Sequence, residues 1–290
     1  MHTFLTSTAK TALTITLTGV MLSLWSVSNA APSAQSTPPS MEKTDTTNVD
    51  TMSKVDPNMA AENHNKWGIV LQKYAKLDAD GLVRFDYGAL KASPTDMENL
   101  TAYIETLSKQ KPSTFERKQA MSYWANLYNA VTVLVVVENY PVSSILKIRS
   151  GLRPGPWKRK LVTVEGEKLS LDNIEHDIMR PTYKTPLVHY MVNCASIGCP
   201  NLKPTPWSVK NFDAELDVAA RAYINSPRGV YVKDGKVTAS KIYKWFKEDF
   251  GDNPVGVLNH AREYADPELL SALEGKTKIK SYKYDWKINN

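Results

Sequence analysis

Apolar residues recur at helical spacing through Trp67, Val70, Leu71 and Tyr74, which predicts a helix over 63–76. Residues 82–87 alternate apolar and polar after an Asp80-Gly81 turn and predict a strand. Ser93-Pro94 supplies a cap and a first-turn proline for a helix to about 108. Ser113 and Glu116 have the spacing of a capping box, opening a helix over about 114–138. Its stretch 120–137 carries no charge, a length that would suit a membrane span. Ser122, Asn126, Asn129, Thr132 and two tyrosines make it too polar for lipid, so a helix through the centre of a core is expected. The valine-rich half, 131–137, suits a strand equally well.

Further along, 161–169 predicts a hairpin turning at Glu165-Gly166, and Ser170 caps a short helix over 171–180. The apolar run 187–192 reads as a short buried strand, and 212–225 as an amphipathic helix. A hairpin over Asp234-Gly235 follows, then helices over 240–251, 254–265 and 267–273, and a closing strand over 278–288. Helices outnumber strands and the strands cluster as hairpins. The expected class is α+β, a single mostly helical domain with a few hairpins around a buried central helix.

The N-terminus changes the domain count. Residues 1–30 carry one charge, Lys10, followed by an apolar stretch over 11–27 and small residues at Ser28 and Ala30. This is the pattern of a secretory signal cleaved after Ala30, with an uncleaved anchor as its rival. Residues 31–62, rich in Ser, Thr, Pro, Asp and Lys, lack the apolar surface to fold and form an expected disordered leader. The globular domain is then 63–290, long enough for a sizeable core. Loss of the signal lowers the formal net charge from +6 to about +5. So modest a basicity does not single out nucleic acid, and an exported protein would rarely meet any. The expected location is the periplasm or cell exterior, with no transmembrane helix after cleavage, and there two cysteines can oxidise. A basic stretch (Lys147, Arg149, Arg153, Lys158, Arg159, Lys160) is either a solvated loop or a patch for acidic ligands.

Candidate chemistry gathers at 189–200, which holds both cysteines, Cys194 and Cys199, beside His189, Asn193 and Ser196. Ser122, Asn126 and Asn129 share one narrow face of the central helix; they either tie loops to it or line a site. In the 171–180 helix Glu175 falls about 40° from Leu171 and so points coreward, where a carboxylate needs a partner. His176 lies at the edge of the polar face, four residues from both Asp172 and Arg180.

Four segments resemble the domain of unknown function 547 family: Tyr-Trp-Ala-Asn-Leu-Tyr-Asn-Ala at 123–130, Ile-Glu-His-Asp-Ile-Met-Arg at 174–180, Asn-Cys-Ala-Ser-Ile-Gly-Cys-Pro at 193–200 and Tyr-Asp-Trp-Lys-Ile-Asn at 284–289. The resemblance implies that Asn126, Asn129, Glu175, His176 and Cys194 occupy the family's hallmark positions and Cys199 a less constant one. It implies no activity. A remote likeness to papain- or transglutaminase-like thiol folds would place the nucleophile at the start of the central helix; here that helix carries Asn126 and no cysteine.

Two readings stay open. In the first, Cys194 is the nucleophile of a hydrolase or acyl transferase acting on an amide, ester or thioester. His176 (or His189) is then the base, Asp172 orients His176, Asn126 or Asn129 stabilises the oxyanion, and Glu175 joins the catalytic group. His189, Asn193, Ser196 and Arg180 would bind a small-molecule, peptide or cell-envelope substrate. In the second, a Cys194–Cys199 disulfide braces a non-catalytic binding or assembly module. A zinc site on both cysteines matches no standard spacing, and neither metal nor cofactor is expected.

Overall fold

A computed structural model describes residues 57–149 and 151–290. The expected signal and the leader up to residue 56 lie outside the described residues. Five short or medium elements precede the central helix: α1 (Pro57–Tyr74), β1 (Ala75–Leu77), β2 (Val83–Phe85), α2 (Tyr87–Lys91) and α3 (Pro94–Ser108). The central helix is α4 (Arg117–Glu138). It is followed by the hairpin β3 (Val162–Val164) and β4 (Glu167–Leu169), a π-helix at Asn173–Met179 running into α5 (Arg180–Tyr183), and a 3₁₀ turn at Pro186–Tyr190. The chain closes with α6 (Phe212–Ile224), β5 (Val230–Lys233), β6 (Lys236–Ser240), α7 (Ile242–Trp245), α8 (Pro254–Tyr264), α9 (Pro267–Ala272) and β7 (Ser281–Lys283). The fold is α+β and mostly helical, with sheets of two or three strands.

Helix α4 is apolar on nearly every side because neighbours cover nearly every side. It is long and apolar enough to cross a membrane, yet 94% of its most apolar window is buried inside the protein. Trp67 of α1 stacks on Tyr103 of α3 at 5.9 Å, and Tyr123 of α4 donates its hydroxyl to the Leu107 carbonyl at 2.8 Å. These contacts belong to the larger of two apolar clusters; the smaller one joins α6, α8 and the β5–β6 hairpin. Both expected hairpins form. Glu165 and Gly166 (φ 50° and 84°) and Asp234 and Gly235 (φ 49° and 69°) adopt the paired positive φ of the tight hairpin turn.

Several sequence expectations are corrected. The run 187–192 is not a strand: Pro186 starts a 3₁₀ turn whose first free amide, Leu187 N–H, donates to Thr185 Oγ1 at 3.3 Å. An apolar run this short carries no periodicity that separates the two conformations. The capping box at Ser113 and Glu116 does not form; α4 starts at Arg117, and Ser113 donates its amide and hydroxyl to Glu165 of the β3–β4 turn. The closing strand shrinks to β7, which runs parallel to β6, while 285–289 lies along the cysteine loop. Helix α1 takes in the end of the expected leader, starting at Pro57. Residues 131–137 are helical.

Candidate functional site: a dithiol in an aromatic pocket

The cysteine loop is held from three sides, each by backbone-directed hydrogen bonds. From α4, Asn129 Nδ2 donates to the Met191 carbonyl at 2.9 Å and its Oδ1 accepts the Asn193 amide at 2.8 Å. Asn126 makes the same two-way contact with Trp207, both bonds at 2.9 Å. Both amides are therefore consumed as loop ties. They do not line the pocket and are not oxyanion donors, because their polar atoms already face loop backbone. From the C-terminal segment, Ile197 N–H donates to the Lys287 carbonyl and Gly198 N–H to the Asp285 carbonyl, both at 2.8 Å. From beyond α6, Arg228 donates to the Cys199 carbonyl at 2.6 Å and to Asn201 Oδ1 at 3.0 Å. Inside the loop Asn193 braces both ends, accepting from Ala195 N–H at 2.8 Å and donating to the Pro200 carbonyl at 2.7 Å. Ala195 sits at φ 59°, a left-handed conformation that these bonds impose on a residue with a Cβ.

This scaffold sets the two thiols against each other. Both are free in the structure, and no disulfide joins them. The Cys194 amide donates to Cys199 Sγ at 3.0 Å. The Tyr284 hydroxyl lies 3.1 Å from each sulfur, and Ser196 Oγ lies 3.2 Å from Cys194 Sγ and 2.7 Å from the Tyr284 hydroxyl. Burial pushes the Cys199 thiol up, but hydrogen bonds from the Cys194 thiol, Tyr284 and the Cys194 amide bring it down to about 7. The hydrogen bond to Cys199, together with burial, pushes Cys194 well up. The two thiols titrate as a pair, and their hydrogen bonds favour the thiolate on the Cys199 side, which makes Cys199 a candidate thiol beside the expected Cys194.

Among the described residues, no histidine bonds to either sulfur. His176 Nε2 is 4.0 Å from Asp172, the expected orienting carboxylate, and His176 Nδ1 is buried with no hydrogen-bond partner. His189 is fully engaged elsewhere: Nε2 bonds Asp249 at 2.7 Å and Nδ1 is 3.6 Å from Glu175, with Phe246 stacked on its ring at 4.5 Å. Burial pushes His189 down, but Asp249 and Glu175 hold it above the ordinary value for a histidine. Burial likewise pushes Glu175 up, and His189, His176 and Tyr128 outweigh it, so Glu175 is held as a carboxylate. Arg180 does not bind in the pocket; it pairs with Asp249 at 2.5 Å and Glu248 at 2.6 Å.

The π-helix explains why Glu175 and His176, adjacent in sequence, both face the same space. The Arg180 amide bonds back five residues to the Glu175 carbonyl, a wider turn than the 100° wheel assumes. Together with Cys194, Cys199 and Asp172 they border a pocket of about 160 Å³ at the seam between the two apolar clusters. Most of its other wall is aromatic, from Tyr128, Trp157, Trp245, Phe246, Tyr284 and Trp286, with His189, Val192, Pro200 and Ile242 completing it. Sequence reasoning missed the tyrosines, tryptophans and phenylalanine as site components. Tyr128, Tyr284 and Trp286 lie within the quoted motifs, which is the signal that could have found them.

Gly198 permits the central contact of this site. A Cβ there would stand 2.8 Å from three carbons of the Tyr284 ring. Gly198→Ala is expected to displace Tyr284 from the thiols and to cost about 1–3 kcal/mol of stability. A lower thermal midpoint together with a higher thiol titration midpoint would bear this out; an unchanged titration would sink it.

Fold and site together define an α+β domain built around a buried dithiol that opens on an aromatic pocket. Residues 112–224 match the family described as Protein of unknown function, DUF547. Three of the four motifs fall inside the matched segment, and the C-terminal one lies outside it. No curated protein and no solved structure is significantly similar to the chain.

Proposed function

We propose that the protein is a thiol-dependent hydrolase or acyl transferase acting on an amide, ester or thioester, exported to the periplasm. The observation that carries this reading is the Cys199 thiol, brought down to about 7 by its hydrogen bonds while lining a pocket large enough for a small organic group. A thiolate available at neutral pH needs no histidine in contact to activate it. In the reaction, the thiolate sulfur bonds to the carbonyl carbon and the carbonyl π pair moves onto oxygen. Collapse of the adduct then expels the amine, alcohol or thiol, which leaves with a proton. His176, a pocket residue whose Nδ1 has no partner, would deliver that proton and take one from the acceptor that cleaves the thioester. Glu175 supplies a fixed acceptor beside it.

The hydrogen bond between the two thiols also favours the second reading, a non-catalytic module braced by a Cys194–Cys199 disulfide. One experiment separates the two. The reduced full-length protein is mixed with p-nitrophenyl acetate, and intact mass is recorded within the first turnover. The expected result is a single acetyl adduct that maps to Cys199 or Cys194 and is absent from the Cys194→Ser plus Cys199→Ser protein. A protein that gains no acetyl group on either thiol, and that oxidises to a stable disulfide, would overturn the enzyme reading in favour of the braced module.

A further inference from the structure

Asp172, Glu175, His176, His189 and the dithiol border the pocket, and among the described residues no lysine or arginine does. Asp172 has only distant partners, Lys158 at 3.9 Å and His176 at 4.0 Å. Glu175 is held as a carboxylate. His189, which lines the pocket and is held above the ordinary value for a histidine, pairs with Glu175 at 3.6 Å and Asp249 at 2.7 Å, and Asp249 has a second cation in Arg180 at 2.5 Å, so Asp172 is the pocket carboxylate without a close partner. Opposite these anions stands a continuous aromatic wall. Tyr284 and Trp286 are 4.6 Å apart, Trp245 and Tyr284 4.9 Å, Trp245 and Trp286 5.4 Å, and Trp157 and Trp286 5.8 Å, centroid to centroid. Trp157 is fixed there by its ring lying on the backbone of Gly155, where a Cβ would fall 1.7 Å from the ring.

We propose that this pocket recognises an organic cation, a substituted ammonium group, through its tryptophan and tyrosine faces and the carboxylates of Asp172 and Glu175. A neutral apolar group would satisfy the rings but leave Asp172 without a close partner. An anion would meet like charge on both carboxylates and on the dithiol. A substituted ammonium ion satisfies both surfaces: its charge pairs with the carboxylates, and its polarised methyl or methylene groups pack on the electron-rich ring faces. The size agrees, since about 160 Å³ is close to the ~150 Å³ cavity that admits a benzene ring. That the cation belongs to the acyl donor or acceptor rests on the thiol reading above; its binding does not.

The test uses choline and its neutral isostere 3,3-dimethylbutan-1-ol as probes. Each is titrated at fixed ionic strength into the full-length protein and into the Cys194→Ser plus Cys199→Ser protein, with tryptophan fluorescence and ligand-observed NMR as readouts. The expected result is saturable choline binding by both proteins, with the isostere roughly tenfold weaker, within the range of a desolvated cation–π contact. Asp172→Asn should weaken choline several-fold and leave the isostere unchanged. Trp286→Leu should abolish binding of both probes; because that variant can fail to fold, the Asp172→Asn protein, altered at a partly exposed position, carries the test independently. Equal affinity for the two probes, or no saturable binding of either, would overturn the proposal. Failure of the thiol reading is distinguishable, because it removes the acetyl adduct and leaves choline binding to the serine protein intact.

Discussion

Asn126→Leu is expected to lower the thermal unfolding midpoint by roughly 5–15 °C, corresponding to about 2–5 kcal/mol in a domain of this size. Asn126 is 1% exposed, and its two bonds are the partners of the Trp207 amide and carbonyl. Leucine fills much of the same volume but leaves that N–H and C=O buried and unpaired, each at the cost of its desolvation. Asn129→Leu should cost less. It strands the Asn193 amide, but the Met191 carbonyl keeps a second donor in the Trp207 indole at 3.1 Å. Calorimetry on the two variants gives the order directly. Two equally mild effects, or a larger one at Asn129, would mean that the loops find other partners and that α4 is not their anchor.

Alkylation of the reduced protein by iodoacetamide is expected to rise with pH through a midpoint near 7, on one thiol only. An ordinary thiol has its midpoint about 8.5. The direction follows from the partners: each donor to the sulfur favours the thiolate, so removing a donor raises the midpoint. Tyr284→Phe deletes a hydroxyl 3.1 Å from Cys199 Sγ. A hydrogen bond to a charged group is worth about 1.5–3 kcal/mol, so the midpoint should move up by roughly one to two units. Alkylation at pH 7 should then slow several-fold. Cys199→Ser should remove the low midpoint altogether, leaving Cys194 to react only at high pH. Two thiols titrating independently near the ordinary value would dismiss the shared charge, and the proposed nucleophile with it.

Much of the local structure was determined by sequence alone. Ser93-Pro94 set the start of α3, and Asp234-Gly235 and Glu165-Gly166 turned their hairpins, because each depends only on backbone preferences of neighbouring residues. The uncharged stretch 120–137 likewise identified the buried centre of the fold, since eighteen residues without a charge have no surface face to present. Motif spacing also brought Glu175, His176, Cys194 and Cys199 to one site. Their roles were decided by tertiary structure. Whether Asn126 ties a loop or faces a pocket depends on which backbone groups, some eighty residues away, meet its amide. The same holds for Cys199: its sulfur meets the Tyr284 hydroxyl, eighty-five residues on, at 3.1 Å, and no periodicity carries that contact. His176 and Glu175 share a pocket on a helix that widens into a π-turn between Ser170 and Arg180, which a 3.6-residue wheel does not represent. Local conformation follows from local sequence, whereas protonation and hydrogen-bond pairing follow from what folding brings within a few ångströms.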